Sequence, residues 1–140
     1  MRTLVDNCVL SELRRPGGDP RVARQFSALA DEDVFLSVLT IGELRKGIDK
    51  LQAGKKKSGL DAWMRELLIA ARGRILPVDV ETAVIWGEVA ARAELAGRPL
   101  PAIDCLIAAT AIQHGLHLMT RNIADFEPTG VLLVNPWSSA

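Results

Sequence analysis

Residues 102–119, Ala102-Ile103-Asp104-Cys105-Leu106-Ile107-Ala108-Ala109-Thr110-Ala111-Ile112-Gln113-His114-Gly115-Leu116-His117-Leu118-Met119, decide how the chain folds. From Ala102 to His114 the residues are mostly apolar and helix-forming, Gly115 is a terminator, and a short apolar run follows at once. A helix that feeds directly into a buried strand is half of a crossover unit, and the same alternation recurs outward in both directions. Strands are expected at Leu4-Val5, 34–38, 75–78, 116–119 and 130–134, with Pro77 placing the third at an edge or an end. Helices are expected over 9–15, from Asp19-Pro20 through Leu29, from Thr40 through Ile41, Leu44, Ile48 and Leu51, and through Trp63, Leu67, Leu68 and Ala71. A further helix capped by Asp79 is expected to bury Ala83, Trp86, Val89 and Ala90, and Lys55-Lys56-Lys57-Ser58-Gly59 reads as a polar connection. Strands separated by helices imply an α/β fold, with a mainly parallel central sheet of about five strands and helices on both faces. No internal repeat is present, so one domain over residues 1–140 is expected.

Composition sets outer limits. The 140 residues carry 17 Lys+Arg and 17 Asp+Glu for zero formal charge, with 49% hydrophobic and 24% charged residues, which is a globular chain rather than a disordered one. Neutrality removes the strongest compositional sign of nucleic-acid binding while leaving room for a local basic face. No apolar run approaches the roughly 18 residues of a membrane span, and Met1-Arg2-Thr3-Leu4 lacks a leader's apolar stretch, so a cytoplasmic protein with no membrane contact is expected. Cys8 and Cys105 are too few for a disulfide scaffold and default to small buried hydrophobes.

The acids are distributed with more pattern than the charge total suggests. Asp6 follows the first strand, Glu43 lies a helical turn past the second, Asp104 opens the helix before the fourth, and Asn122 and Asp125 follow the fourth. Ligands of open parallel sheets collect outside the carboxyl ends of the strands. Each acid also has a structural explanation: Thr40 and Glu43 fit a capping box, Asp104 suits a helix N-terminus, and Asp125 suits a turn. Asp6 is the hardest to explain that way, because a carboxylate ending a buried strand is costly unless it is paired or hydrogen-bonded. Two carboxylates about 5 Å apart repel by about 3 kcal/mol at an effective dielectric of 20. Arg121 is the basic residue placed to neutralise one of them; a hard divalent cation would relieve them all, and all-oxygen ligation points to Mg²⁺ or Mn²⁺.

Four stretches then carry a family resemblance. Leu4-Val5-Asp6-Asn7-Cys8-Val9-Leu10-Ser11-Glu12-Leu13, Thr40-Ile41-Gly42-Glu43-Leu44-Arg45-Lys46-Gly47-Ile48, Asp104-Cys105-Leu106-Ile107-Ala108-Ala109-Thr110-Ala111 and Thr120-Arg121-Asn122-Ile123-Ala124-Asp125-Phe126 resemble, in order, the motifs of PIN-domain toxins of the virulence-associated protein C type, near the FitB branch. The ending from Gly130-Val131 to Asn135-Pro136-Trp137 resembles theirs too. The resemblance implies a Mg²⁺-dependent endoribonuclease leaving 5′-phosphate and 3′-hydroxyl ends. It also implies a homodimeric toxin held by a cognate antitoxin, with operator DNA bound only through that antitoxin. It assigns Asp6, Glu43, Asp104 and Asp125 to the acidic cluster, Asp6 and Asp104 as metal ligands, and Asn7, Thr40, Arg121 and Asn122 as supporting residues. Asn7 and Cys8 depart from it, since the family commonly has Thr or Ser and then Asn there, and the change removes a hydroxyl that could orient the carboxylate.

RNA is expected over Arg14, Arg15, Lys46, Lys55, Lys56, Lys57 and Arg121, whose cations would neutralise phosphates. With no Tyr and 4% aromatic residues, no base-stacking platform is legible. A thiolate site at Cys8 or Cys105 with His114 or His117 lacks the usual zinc spacing. An aspartyl-phosphate reading lacks a second Asp where Cys8 stands. A non-catalytic RNA- or partner-binding module, with the acids as caps, is the alternative that stays open. The apolar positions Phe26, Leu29, Trp63, Leu67 and Leu68 serve either the core or an interface.

Overall fold

The computed structural model describes residues 1–138, so the last two positions of the expected 1–140 span lie outside the described residues. Five parallel strands, β1 (Thr3–Val5), β2 (Val34–Ser37), β3 (Ile75–Leu76), β4 (His117–Met119) and β5 (Leu133–Val134), form one sheet in the order β3-β2-β1-β4-β5. The central strand β1 pairs Thr3 with Val34 on one side, and Thr3, Leu4 and Val5 with His117, Leu118 and Met119 on the other. Strand β3 lies at an edge, as expected, but it is shorter than the expected 75–78 because it ends at Leu76, immediately before Pro77, which lacks the N–H to continue a ladder.

Alternation along these strands builds two cores. Leu4 and Leu118 face a cluster with Ile107, Ala108, Ala111, Leu116 and Phe126, while Val5, Leu36 and Met119 face one with Val9, Leu10, Val22, Leu44 and Ala71. Helices therefore cover both faces: α1 (Asn7–Arg14), α2 (Pro20–Ser27), α3 (Val38–Asp49) and α4 (Lys55–Ala70) on one, and α5 (Val80–Leu95), α6 (Ala102–His114) and α7 (Ile123–Phe126) on the other. Among the described residues no helix is long and apolar enough to cross a membrane.

Several boundaries differ from the sequence reading, for identifiable reasons. Helix α3 begins at Val38 because the Ser37 hydroxyl accepts the Leu39 N–H at 3.0 Å, so Ser37 is the cap and the expected strand over 34–38 ends one residue early. Lys55 to Lys57 form the first turn of α4 instead of a loop, because Gly54 supplies the break. On α5 the buried residues are Thr82, Val89 and Ala93 rather than Ala83 and Trp86, since a capping box between Asp79 and Thr82 sets the helix rotation and Gln113 Nε2 donates to Asp79 across to α6. Phe26, Leu29, Trp63 and Leu67 pack against the core, leaving Leu68 more exposed.

Two contacts hold the helices that carry the acids. Arg45 on α3 donates to Asp61 on α4 and to Asp49, each at 2.6 Å. In the α1–α2 connection the Glu12 carboxylate accepts the Asp19 N–H at 2.8 Å, and a Cβ at Gly18 would collide with the Glu12 carbonyl. The buried Ser37 cap fixes where the Glu43 helix starts. Replacing it by Ala is expected to cost about 1 kcal/mol, read as a lower midpoint in urea unfolding with an unchanged slope.

Candidate active site

Asp6 begins where β1 ends. Its backbone N–H donates to the Met119 carbonyl at 3.0 Å, which continues the β1–β4 pairing by one residue. Its carboxylate is almost wholly buried, and both oxygens are engaged: Oδ1 accepts the Asn7 N–H at 2.8 Å as the cap of α1, and Oδ2 accepts the Thr120 hydroxyl at 2.8 Å. The hydroxyl that Asn7 cannot supply is therefore supplied by Thr120, from the end of the neighbouring strand. Asn7 itself accepts from Ser11 at 3.2 Å along α1. Thr120 opens the fourth motif stretch of the sequence, but nothing in its spacing reveals this role, because the pairing spans 114 residues and depends on β1 lying beside β4.

Glu43 and Asp104 approach Asp6 from α3 and from the first turn of α6. Burial pushes the Glu43 carboxyl above its usual range, and the charges of Asp6 and Asp104 push it further, against a small opposing pull from Lys46. Burial likewise raises Asp104, followed by the charges of Asp6 and Asp125. The acids from four separate stretches thus feel one another, and Asp125, exposed on α7, is the outermost. Arg121 does not neutralise any of them. Its guanidinium lies over the Trp137 ring, 5.2 Å from the centroid, and makes no ion pair among the described residues. Asn122 is exposed just before α7, where its N–H donates to Thr120 Oγ1 at 3.2 Å.

The capping explanation for Thr40 and Glu43 does not survive, since Ser37 has that role and Thr40 sits inside α3 with a buried Oγ1 that has no partner among the described residues. Glu43 is therefore free to face the cleft. That cleft, 190 Å³, is lined by Asn7, Glu43, Arg14, Lys56 and Trp63 among others. Lys46 lines an adjoining depression beyond Glu43, and Arg15 is tied to Glu12 at 2.7 Å. Cys8 is half-buried, with Sγ 3.7 Å from Asp6 Oδ2 and 3.6 Å from the Thr120 hydroxyl. Burial and the Asp6 charge raise its thiol above the ordinary value, which keeps it a protonated donor rather than a thiolate. His117 and His114 lie at the amino end of β4, the end away from Asp6.

The donor set suits a hard divalent cation. Every candidate ligand is an oxygen, and burial followed by neighbouring carboxylate charges raises both Glu43 and Asp104. Among the described residues no three His, Cys, Asp or Glu side chains are close enough to enclose an ion by themselves. An ion kept by one or two carboxylates and several waters is the Mg²⁺ habit.

A family model, PIN domain, matches residues 3–129. The chain belongs to the PIN-domain family. It is 39% identical to Toxin FitB of Neisseria gonorrhoeae, over 96% of this chain and 97% of that protein. It is 34% identical to a VapC ribonuclease of Sinorhizobium fredii, over 98% of this chain and 99% of that one. The solved structure of FitAB bound to IR36 DNA fragment superposes with a TM-score of 0.95 at 38% identity, covering 99% of this chain and 97% of its own. Nucleases of this family are generally dependent on divalent metal.

The raised carboxyls make a sign-definite prediction. A group whose folded value exceeds its unfolded one stabilises the fold below the unfolded value, and that contribution is lost as pH rises through the folded value. In metal-free protein, Asp104→Asn is therefore expected to raise the Tm at pH 7. The gain should vanish below about pH 4, where carboxyls are protonated in both states; thermal unfolding in chelator across that range checks it.

Proposed function

We propose that this PIN-domain chain is a Mg²⁺-dependent endoribonuclease and the toxin of a type II toxin–antitoxin pair. The observation that carries the reading is the Asp6 carboxylate pinned by Asn7 N–H and Thr120 Oγ1–H, with Glu43 and Asp104 raised by burial and then by the neighbouring carboxylate charges. Extensive identity to a VapC ribonuclease and to a toxin supports it.

Asp6 and Asp104 would hold the cation, which supplies charge neutralisation at the phosphate and acidifies water. Glu43, whose raised carboxyl is the better proton acceptor, would take the proton of the attacking water, and Asp125 would orient that water from the rim. The water oxygen bonds to phosphorus as the bond to the ribose 3′ oxygen breaks, and that oxygen takes a proton from solvent, giving 5′-phosphate and 3′-hydroxyl ends. Thr120 acts through Asp6, holding the carboxylate in one orientation. Lys46 and Arg14 flank the acids and suit the RNA backbone.

The partner follows from the toxin reading: a cognate antitoxin of the FitA or VapB kind, through which alone operator DNA would be bound. An apolar groove of 290 Å³ between α2 and α4, lined by Leu10, Phe26, Leu36 and Leu67, suits such a partner. A homodimer is supported by the exposed Val80, Val84 and Leu95 on α5, which are 82%, 55% and 90% accessible.

Incubation with total RNA, with and without Mg²⁺ and chelator, followed by end mapping, tests the activity. Asp6→Asn and Asp104→Asn are expected to lower cleavage at least 100-fold while circular dichroism is unchanged; full activity of a clean Asp104→Asn preparation would end the assignment. Thr120→Val is expected to cut kcat by about 10-fold, in the range of losses seen when a partner behind a metal ligand is removed, and to raise the Mg²⁺ concentration needed for half-maximal rate.

A further inference from the structure

Aromatic residues are 4% of the chain, yet one of its three tryptophans, Trp63, lines the cleft that reaches Glu43 and a second, Trp137, lines the adjoining groove, each with an arginine over its ring. Arg14 Cζ lies 5.7 Å from the Trp63 centroid and Arg121 Cζ 5.2 Å from that of Trp137. Their neighbours Arg15 and Arg21 are committed to Glu12 and Asp19, at 2.7 Å each, whereas Arg14 and Arg121 have no carboxylate partner among the described residues. A groove of 450 Å³ runs past Cys8, Arg14, Lys56, Arg121 and Trp137. It shares Ser11, Arg14 and Lys56 with the cleft that reaches Glu43, and its own carboxylate, Glu12, is paired with Arg15, so one path flanked by cations leads from Trp137 to Glu43.

Resting on the ribonuclease reading, we infer that Arg121, held over Trp137, is a stacking platform for an unpaired base of the substrate. Arg14 and Lys56 take the phosphates between that base and Glu43. A guanidinium is weakly hydrated and planar, and stacks on bases as well as on indole. In a duplex the bases are stacked on one another and cannot reach the platform. Its cations explain attraction of a phosphate backbone toward a chain of zero net charge whose central cluster is itself anionic. Arg121 is a positioning residue in this scheme.

The test uses short oligoadenylate RNA and the same strand annealed to oligouridylate, mixed with the full chain in chelator so that nothing is cleaved. Single-stranded RNA is expected to quench tryptophan emission, with most of the quench absent in Trp137→Phe. Arg121→Ala should weaken binding about 10-fold, the scale of one lost stack, and reduce the salt slope of log K by about one unit. Arg121→Lys, which keeps charge but loses the plane, should not restore affinity. With Mg²⁺ and a mapped RNA, Arg121→Ala should raise KM and leave kcat near wild type. Equal binding of duplex and single strand, full rescue by Lys, or an unchanged Trp137 quench would each overturn the inference. So would oligoadenylate affinity that is indifferent to Arg121→Ala, the result expected if the groove holds only a protein segment. If wild type binds as described but cleaves no RNA, the ribonuclease reading fails and the stacking site stands; if it cleaves and the variants bind equally, only the stacking site fails.

Discussion

The carboxylate of Asp6 is the constraint on which the site depends. It sits at the end of the central strand, almost out of water, and three protein groups define its position: the Met119 carbonyl through its backbone N–H, the Asn7 amide and the Thr120 hydroxyl. A buried carboxylate without such donors would be several kcal/mol too costly to keep charged. Because the donors come from the start of α1 and the end of β4, the fold of the sheet and the orientation of the acid are a single fact. Any change that slid β4 against β1 would disturb both.

Around that fixed charge the protein gathers others without cancelling them. Arg45 and Arg21 are each paired with acids elsewhere, and the basic residues nearest the cleft lie along its flanks. Glu43 and Asp104 are left raised by burial and by their neighbours. Carboxyls raised in this way weaken the fold at neutral pH, the expected relation between a functional cluster and the fold that carries it. The departures at Asn7 and Cys8 fit the same arrangement, since Thr120 supplies the missing hydroxyl and the Cys8 thiol stays protonated beside it.

Much of this is legible in the sequence alone. The helix terminator at Gly115, the Asp19-Pro20 start and the edge strand at Pro77 are local signals, and each appears in the fold where expected. Each misplaced element has its own physical cause. Thr40 with Glu43 has the spacing of a capping box, yet Ser37 reached the free N–H groups first, and a pattern of residue types cannot say which of two hydroxyls begins the helix. The Lys55 to Lys57 run looks like a solvated loop but winds into α4, because Gly54 already provides the break. Trp86 and Ala83 were expected in the core, where Thr82 sits instead, since α5 is apolar on several sides and its rotation is set by Asp79 and Gln113.

By itself, then, the sequence determined the element order, the parallel sheet and the four acidic stretches, because strand and helix periodicities and turn residues act over a few neighbours. Only the tertiary structure decided that Thr120 holds Asp6, that Arg121 covers Trp137 instead of an acid, and that Glu43 faces the cleft. Those are contacts between segments up to 114 residues apart. Their partners are chosen by strand order and by the packing of helices on opposite faces, which no local spacing records.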